Sequence, residues 1–360
     1  MGGLRSALIA AGAGLAWLPA VPVGADAVEV DQPWVRVLLT QGRDPVRVGG
    51  ERYTAVEPGR LRRNGHPVGP RVVVNGPTAV GKVRYRGRIE VSRSAEGVTV
   101  INEVPVERYV EGILLREVYP GWEAAVLEAQ AVVARTYALH RSRETRGQAW
   151  DVTSGTGSQV YGGIDAEAPQ AARAVRATEG QVLVFGGKPI LAAYHSASGG
   201  RTASSEEVWG RALPYLVSVL VEGEEVSPDT YWRIPVSTAK LGRALKDLGW
   251  PVGAVEEVGV LERSQSGRVR RAFVEGSRKR IELSGHDLRR AVGGLPSTLF
   301  EVKREEDGFL FVGSGHGHGV GMSQWGARAM AQRGASYREI LAWFYPGAGL
   351  REGWGSGEEL

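Results

Sequence analysis

The chain predicts an α+β fold, a single mixed body of β-sheets with a helical hairpin and further helices towards its C-terminal end, on three observations. Residues 33–104 carry β-branched and alternating runs broken by Gly, Asn and Pro. At Pro105 the apolar spacing changes from two residues to three and four. Beyond residue 320 two short segments open on serine, in N-cap positions.

Taken in order, the N-terminus reads MGGLRSALIAAGAGLAWLPAVPVGADAVEV. Arg5 is followed by an apolar run over residues 7–20, and Ala25-Asp26-Ala27 offers a small-residue cleavage site. Residues 1–27 are therefore expected to be a secretory signal peptide. An uncleaved anchor is the alternative, opposed by the shortness of the run and by Pro19. The mature protein is then expected to work outside the cytoplasmic membrane, secreted or periplasmic and associated with the cell wall.

Residues 28–100 read as an N-terminal β-rich part, with strands at WVRVLLT, VRYRGRIEVS and VTVINEV. Residues 101–350 read as a second region, continuous in one body with the first. VPVERYVEGILLREV has helical spacing, with Pro105 in its first turn and one apolar face of Val106, Tyr109, Val110, Ile113 and Leu114. The YPG at 119–121 breaks it. WEAAVLEAQAVVARTYALHRSRE follows as a second helix, its buried side marked by Ala125, Val126, Ala129, Val132, Val133 and Tyr137. EAPQAARAVRATEG is helical and QVLVFGGKPILAAYHSASGG strand-like. Residues 228–300 carry a helix, more strands and the short helix SGHDLRRAVG. Ser323 caps SQWGARAMAQRG, with Gly334 past its end, and Ser336 with Glu339 stands in capping-box spacing.

Composition narrows the chemistry. Of 360 residues, 42% are apolar and 23% charged, which suits a globular protein with a sizeable core. There is no cysteine, so disulfides, thiolate nucleophiles, cysteine-held zinc and a lipidated N-terminal cysteine are excluded. A net charge of +4 suits an anionic partner without calling for nucleic acid.

Five stretches stand in an order and spacing that carry a resemblance: VPVERYVEGILLREVYPGWEAAVLEAQAVVARTYALHR, GSQVYGG, AAYHSASGGRT, LSGHDLRRAV and GHGHGVGMSQWGARAMA. Together they resemble the SpoIID/LytB family of cell-wall proteins, over most of residues 80–346. The resemblance implies a lytic transglycosylase that cuts glycan strands stripped of stem peptides, or else an enhancer of a cell-wall amidase. The expected partners are peptidoglycan glycan strands and a cell-wall amidase. The sheets, hairpin and terminal helices would then surround a glycan groove.

The resemblance places the catalytic acid at Glu117, the last residue of the first helix. Relatives often carry Glu-hydrophobic-Pro there, whereas Tyr119 intervenes here before Pro120. A carboxyl protonates a leaving oxygen near neutral pH only where its surroundings raise its pKa, and Val118, Tyr119 and Trp122 are candidates to supply them. The bland alternative is an exposed glutamate at a helix end. No second carboxylate motif is evident. A lytic transglycosylase needs none, because the 6-hydroxyl of the same muramic acid is a tethered nucleophile.

Arg135, with Gln130 on the same helix, is a candidate for the lactyl carboxylate that peptide stripping exposes, or for a structural pair with an acid. Gln159 and Tyr161 are either substrate-facing or structural. His195, Ser196 and Ser198 lie in a stretch without the Gly-x-Ser-x-Gly setting of a hydrolase serine. Some relatives hold zinc in these two stretches with histidine and cysteine; Ser158 and Ser198 stand where the cysteines would be. No metal and no other cofactor is expected. GSGHGHGVGMSQWG offers two histidines, His316 and His318, against the three ligands zinc wants, and lacks the lysine of a phosphate loop. It reads as a wall of the groove, where glycine backbone and a helix N-terminus approach the ligand. His318, Ser323 and Gln324 would offer hydrogen bonds, and Trp325 reads as core. A turn needed only for packing is the alternative.

Overall fold

The computed structural model describes residues 32–353 apart from 44, 57 and 58. The expected signal segment at 1–27 lies outside the described residues. The fold is α+β, and the described residues from Pro33 onwards belong to one compact unit.

The central strand of a five-stranded sheet, Gly97–Pro105, is buried along nearly its whole length. It pairs antiparallel with Trp34–Gly42 on one side and with Arg88–Ser94 on the other. Val35 stands opposite Val104, and Val37 opposite Asn102. Arg71–Asn75 forms one edge and the two-residue parallel strand Val152–Thr153 the other. A separate six-stranded sheet is built from Val46–Val48 to His66–Val68 with Thr78–Val80 and Val83–Tyr85. The single strand expected over 83–92 is thus two strands in different sheets. The reason sits at Gly87, where φ is +73° and an added Cβ would collide with the Glu103 carbonyl. Only glycine turns the chain there while lying against its neighbour strand.

The described residues form eight α-helices: α1 Val106–Glu117, α2 Ala124–Glu144, α3 Pro169–Ala177, α4 Ser205–Trp209, α5 Thr238–Asp247, α6 Gly285–Val292, α7 Gln324–Gln332 and α8 Tyr337–Phe344. Helix α1 runs straight out of the central strand, with Pro105 at its N-cap. It ends at Glu117 because Val118 is extended, at φ −131° and ψ 158°. The caps read from the sequence are present. Ser323 accepts the Gly326 N–H, and Ser336 and Glu339 make the reciprocal capping box.

Helix α2 differs from its expected one-sided pattern. Between Val126 and Leu139 it is buried almost all round, Gln130, Arg135 and Thr136 included. It is the axis of the first core, packed by α1, α3, α7 and α8 and by the strands Trp34–Gly42 and Val182–Phe185. Ala129, Ala131, Ala134 and Ala138 let these neighbours approach. Each fully buried valine, such as Val126, Val132 or Val133, contributes roughly 1.5–3 kcal/mol.

A second apolar core gathers residues 232–311, including Trp232, Leu241, Leu245, Leu288, Phe300 and Phe311. There α5 and α6 pack on two three-stranded sheets. The helix, strands and short helix expected between 228 and 300 are all present.

Candidate functional site

Three loop segments and the end of a short helix meet beside the end of α1 and line a cavity of about 510 Å³. They are residues 156–160, 191–196, the end of α4 and residues 316–318, with Tyr137 and Gln324 from the core helices. Glu117 is half-buried in its wall. The end of α1 sets its direction, and the returning chain at Val160 fixes it: the Val160 N–H donates to Glu117 Oε1 at 2.7 Å. Burial pushes the carboxyl pKa above its ordinary range, against the opposing pull of the Val160 N–H and a hydrogen bond with Tyr194. The Tyr194 hydroxyl is itself held protonated by burial first and by the charge of Glu117 next. The apolar setting is supplied by Val160, Leu191, Ala193 and the Tyr194 ring, all in the cavity wall. Tyr119 and Trp122, expected in that role, are elsewhere. They form a ring cluster with Trp325, in which Trp122 and Trp325 meet edge to face at 4.9 Å.

The opposite wall is two segments laid side by side. Tyr194–His195 pairs parallel with Met322–Ser323, and Ala197 bridges His316. His195 is buried, its Nδ1–H donates to the Val320 carbonyl at 3.2 Å, and its Nε2 has no partner. His318 Nδ1 accepts the Val320 N–H at 3.0 Å. The two rings lie 5.6 Å apart. Burial pushes both pKa values down, that of His318 to about 4, so both rings are neutral near pH 7. His316 Nδ1 lies 3.1 Å from Asp229 Oδ2, an acid not expected beside it.

Of the residues predicted to meet substrate, Glu117, His195, Ser196, His318 and Gln324 come together around this cavity. Gln130 stands behind, its Oε1 accepting from Gln324 Nε2 at 3.3 Å. The others do not line it. Arg135 is fully buried and clamps Glu107, with Nη2 2.6 Å from Oε2, so its guanidinium is already neutralised within the core. Gln159 and Tyr161 turn inward on either side of Val160. Gln159 accepts the Tyr109 hydroxyl and lies 3.5 Å from that of Tyr194, while the Tyr161 hydroxyl donates to Asn102. Ser198 and Ser323 are both buried against the carboxylate of Glu224.

That network also decides the zinc question on donor chemistry. The Ser198 hydroxyl donates to Glu224 Oε2 at 2.5 Å, and the Ser158 hydroxyl accepts from the Thr153 N–H at 3.1 Å. Neither is an anionic ligand like the thiolate it replaces, and the donor set does not fit zinc. At the N-terminus of α7 two backbone donors are already engaged within the protein. The Trp325 N–H is taken by the Ser196 carbonyl and the Gly326 N–H by Ser323 Oγ. The glycines of the loop serve chain-to-chain packing as well as the wall. At Gly317, with φ +108°, an added Cβ would stand 2.7 Å from the His195 Cβ.

Sequence reasoning missed three residues. Tyr194 faces Glu117 yet reads as one more strand aromatic. Trp209 lines the cavity, is 43% exposed, and lies 5.5 Å from the His318 ring. Its signal was a tryptophan closing a short polar helix before Gly210. Glu224 had no local signal, since its partners lie far off in the chain.

The model of the stage II sporulation protein family matches residues 94–185, which carry α1, α2 and the Val160 segment. The chain is 31% identical to stage II sporulation protein D of Bacillus amyloliquefaciens, over 70% of this chain and 76% of that one. It belongs to the stage II sporulation protein D family. An uncharacterized protein of Brachyspira hyodysenteriae is 32% identical, over 74% of this chain and 72% of its own length. The amidase enhancer of Bacillus subtilis is 29% identical over 67% of this chain, and the match spans 40% of that longer protein. A second model, for a domain of unknown function (DUF8618), matches residues 222–321. In this member of the stage II sporulation protein D family, that match covers the second core and the glycine-rich wall.

Proposed function

We propose that the protein cleaves peptidoglycan glycan strands as a lytic transglycosylase, with Glu117 as acid and then base. The observation that carries this reading is a lone carboxyl in a sugar-sized cavity. Among the described residues lining it, Glu117 is the only acid, and burial favours its protonated form. The protonated carboxyl donates to the glycosidic oxygen as the bond from the anomeric carbon breaks. The resulting carboxylate takes the proton of the 6-hydroxyl as that oxygen bonds to the anomeric carbon. Glu117 is reprotonated and the product carries an anhydromuramic end. The neutral His318 and the backbone at Gly317 suit a neutral sugar, and Trp209 offers a ring face to it. The N-terminal signal pattern supports a place of action outside the membrane.

Similarity to an amidase enhancer supports a second reading, a glycan-binding protein that assists a cell-wall amidase without cutting. Glu117→Gln separates the two. It keeps shape and the Val160 hydrogen bond but removes the proton. Cleavage should fall by at least ~10²-fold while glycan binding survives. Wild-type turnover by the variant would end the assignment of Glu117.

A further inference from the structure

His318 lines a second, smaller cavity as well, of about 110 Å³. Glu207, at α4, contributes one part of its wall, and the second core contributes the rest: Arg268, Arg270, His286 and Arg289. Three arginines and two histidines, His318 among them, thus line it with one carboxylate, and the outermost arginine, Arg270, pairs with Glu262 at 2.9 Å, a residue outside the lining. The Glu207 carboxylate is engaged, since its Oε2 accepts the Ser266 hydroxyl at 2.6 Å.

The two inner arginines are held by neutral groups. Arg268 is 3% exposed and donates from Nη1 and Nη2 to the carbonyls of Arg201 and Ser198, at 3.0 and 2.7 Å. Its Nε–H has no partner. Arg289 donates from Nε and Nη2 to the carbonyls of Leu295 and Pro296, at 2.7 and 2.8 Å. Among the described residues no carboxylate pairs directly with either. Burial brings the Arg268 pKa down to about 10, which leaves it charged near pH 7. The contrast with Arg135 lies in contact: Glu107 pairs directly with that guanidinium, whereas the carboxylates of Glu207 and Glu224 act on Arg268 only through space. Tying the 198–201 segment to the second core explains two nitrogens of Arg268. It does not explain the orphaned Nε–H, nor why Arg289 and His286 gather at the same hollow. A buried charge whose direct partners are carbonyls is costly, and an anion in contact with it offsets that cost further than distant carboxylates do.

The hollow has room for roughly three to four water-sized groups. That suits a carboxylate with the few carbons that carry it, and not a peptide. We propose that the second cavity is an oxyanion subsite, which holds a free carboxylate on the same glycan strand whose glycosidic bond lies at Glu117. The inference rests on the glycan reading above. His318 stands in the walls of both cavities, so the two adjoin, as a subsite for the same strand requires. A peptide joined to the carboxylate turns it into an amide, removing the charge and adding bulk that the hollow does not accommodate. The subsite would therefore make the second core the selector of peptide-free strands.

The test measures binding by the Glu117→Gln protein, so that cleavage plays no part. Its ligands are purified peptide-free glycan and the same glycan with its carboxylates converted to methylamides. The acid strand should bind about tenfold tighter, as one charge-assisted hydrogen-bonded contact provides. Arg270→Glu with His286→Glu changes only exposed side chains at the rim and should bring the two strands within about twofold. Arg289→Lys, which keeps a charge but loses the guanidinium fork, should retain part of the preference. Equal binding of acid and amide strands by the parent protein overturns the subsite while leaving the glycan reading intact. A preference that survives the double substitution also overturns it. Failure of either strand to bind at all contradicts the glycan reading itself. Inorganic phosphate is the competing probe: phosphate binding lost in the double variant, with acid and amide strands alike, would reassign the hollow to a phosphate and overturn the carboxylate.

Discussion

Arg135→Ala tests the placement of an arginine whose residue type suits carboxylate recognition but whose geometry does not. The side chain is fully buried, and its Nε and Nη2 lie 2.6–3.1 Å from the Glu107 carboxylate. Nη1 also donates to the Gln181 carbonyl at 3.1 Å. Truncation removes the cation and leaves Glu107 charged in the core beside the Gly180 N–H. Breaking a buried pair from one side costs about 3–5 kcal/mol. At about 2.1 cal/mol/K of unfolding entropy per residue, that corresponds in a protein of this size to a fall in Tm of roughly 4–7 °C. Replacing both partners, as Arg135→Met with Glu107→Leu, should recover most of the loss, because no charge is then stranded. Calorimetry on the wild type, the single variant and the double variant reads the stability. Binding of acid and amide glycan well below the transition reads the specificity, which should not change. A single variant within about 1 kcal/mol of wild type that has lost its preference for the acid strand would refute the structural assignment.

Glu117→Gln should alter stability with pH in a definite sense. The folded carboxyl pKa is raised by burial above its ordinary 4.5, so the ionised form is disfavoured in the fold. That cost is absent below the unfolded pKa, grows as pH rises towards the folded one, and is complete above it. The variant should match wild type near pH 4 and melt higher at pH 7; a lower Tm at pH 7 would contradict the stated cause. Trp209→Ala should weaken glycan binding about fivefold, since covering roughly 40 Å² of ring at about 25 cal/mol per Å² is about 1 kcal/mol. An unchanged Kd would remove Trp209 from the sugar path. Chelator treatment should leave activity intact, because Ser158 and Ser198 are engaged as hydroxyls within the protein. Loss of activity restored by zinc would reverse that.

What was legible in the sequence is what local chemistry dictates. The caps at Ser323 and Ser336, the end of α1 before YPG and the β-rich start all depend on neighbours a few residues away. The α2 boundaries were legible for the same reason, but its burial was not. Gln130 and Arg135 count as polar in any periodicity, and their partners arrive from Gln324 and Glu107. The candidate site follows the same division. Glu117 was singled out by the family resemblance, since a glutamate at a helix end reads equally as an exposed one, and the N–H that holds it comes from Val160, 43 residues on. Ser198 and Ser323 resemble groove hydroxyls until Glu224 is placed between them. The strand split at Gly87 depends on the approach of Glu103, which no local pattern encodes.

The central claim is that Glu117 drives an intramolecular closure rather than hydrolysis. Purified protein should be incubated with peptide-free glycan in heavy-oxygen water, and the fragments resolved by mass spectrometry. The wild type should yield anhydromuramic ends, lighter than the hydrolysed product by one water and free of label, and Glu117→Gln should yield almost none. Reducing ends carrying the heavy oxygen, or anhydro ends formed equally by the variant, would contradict it.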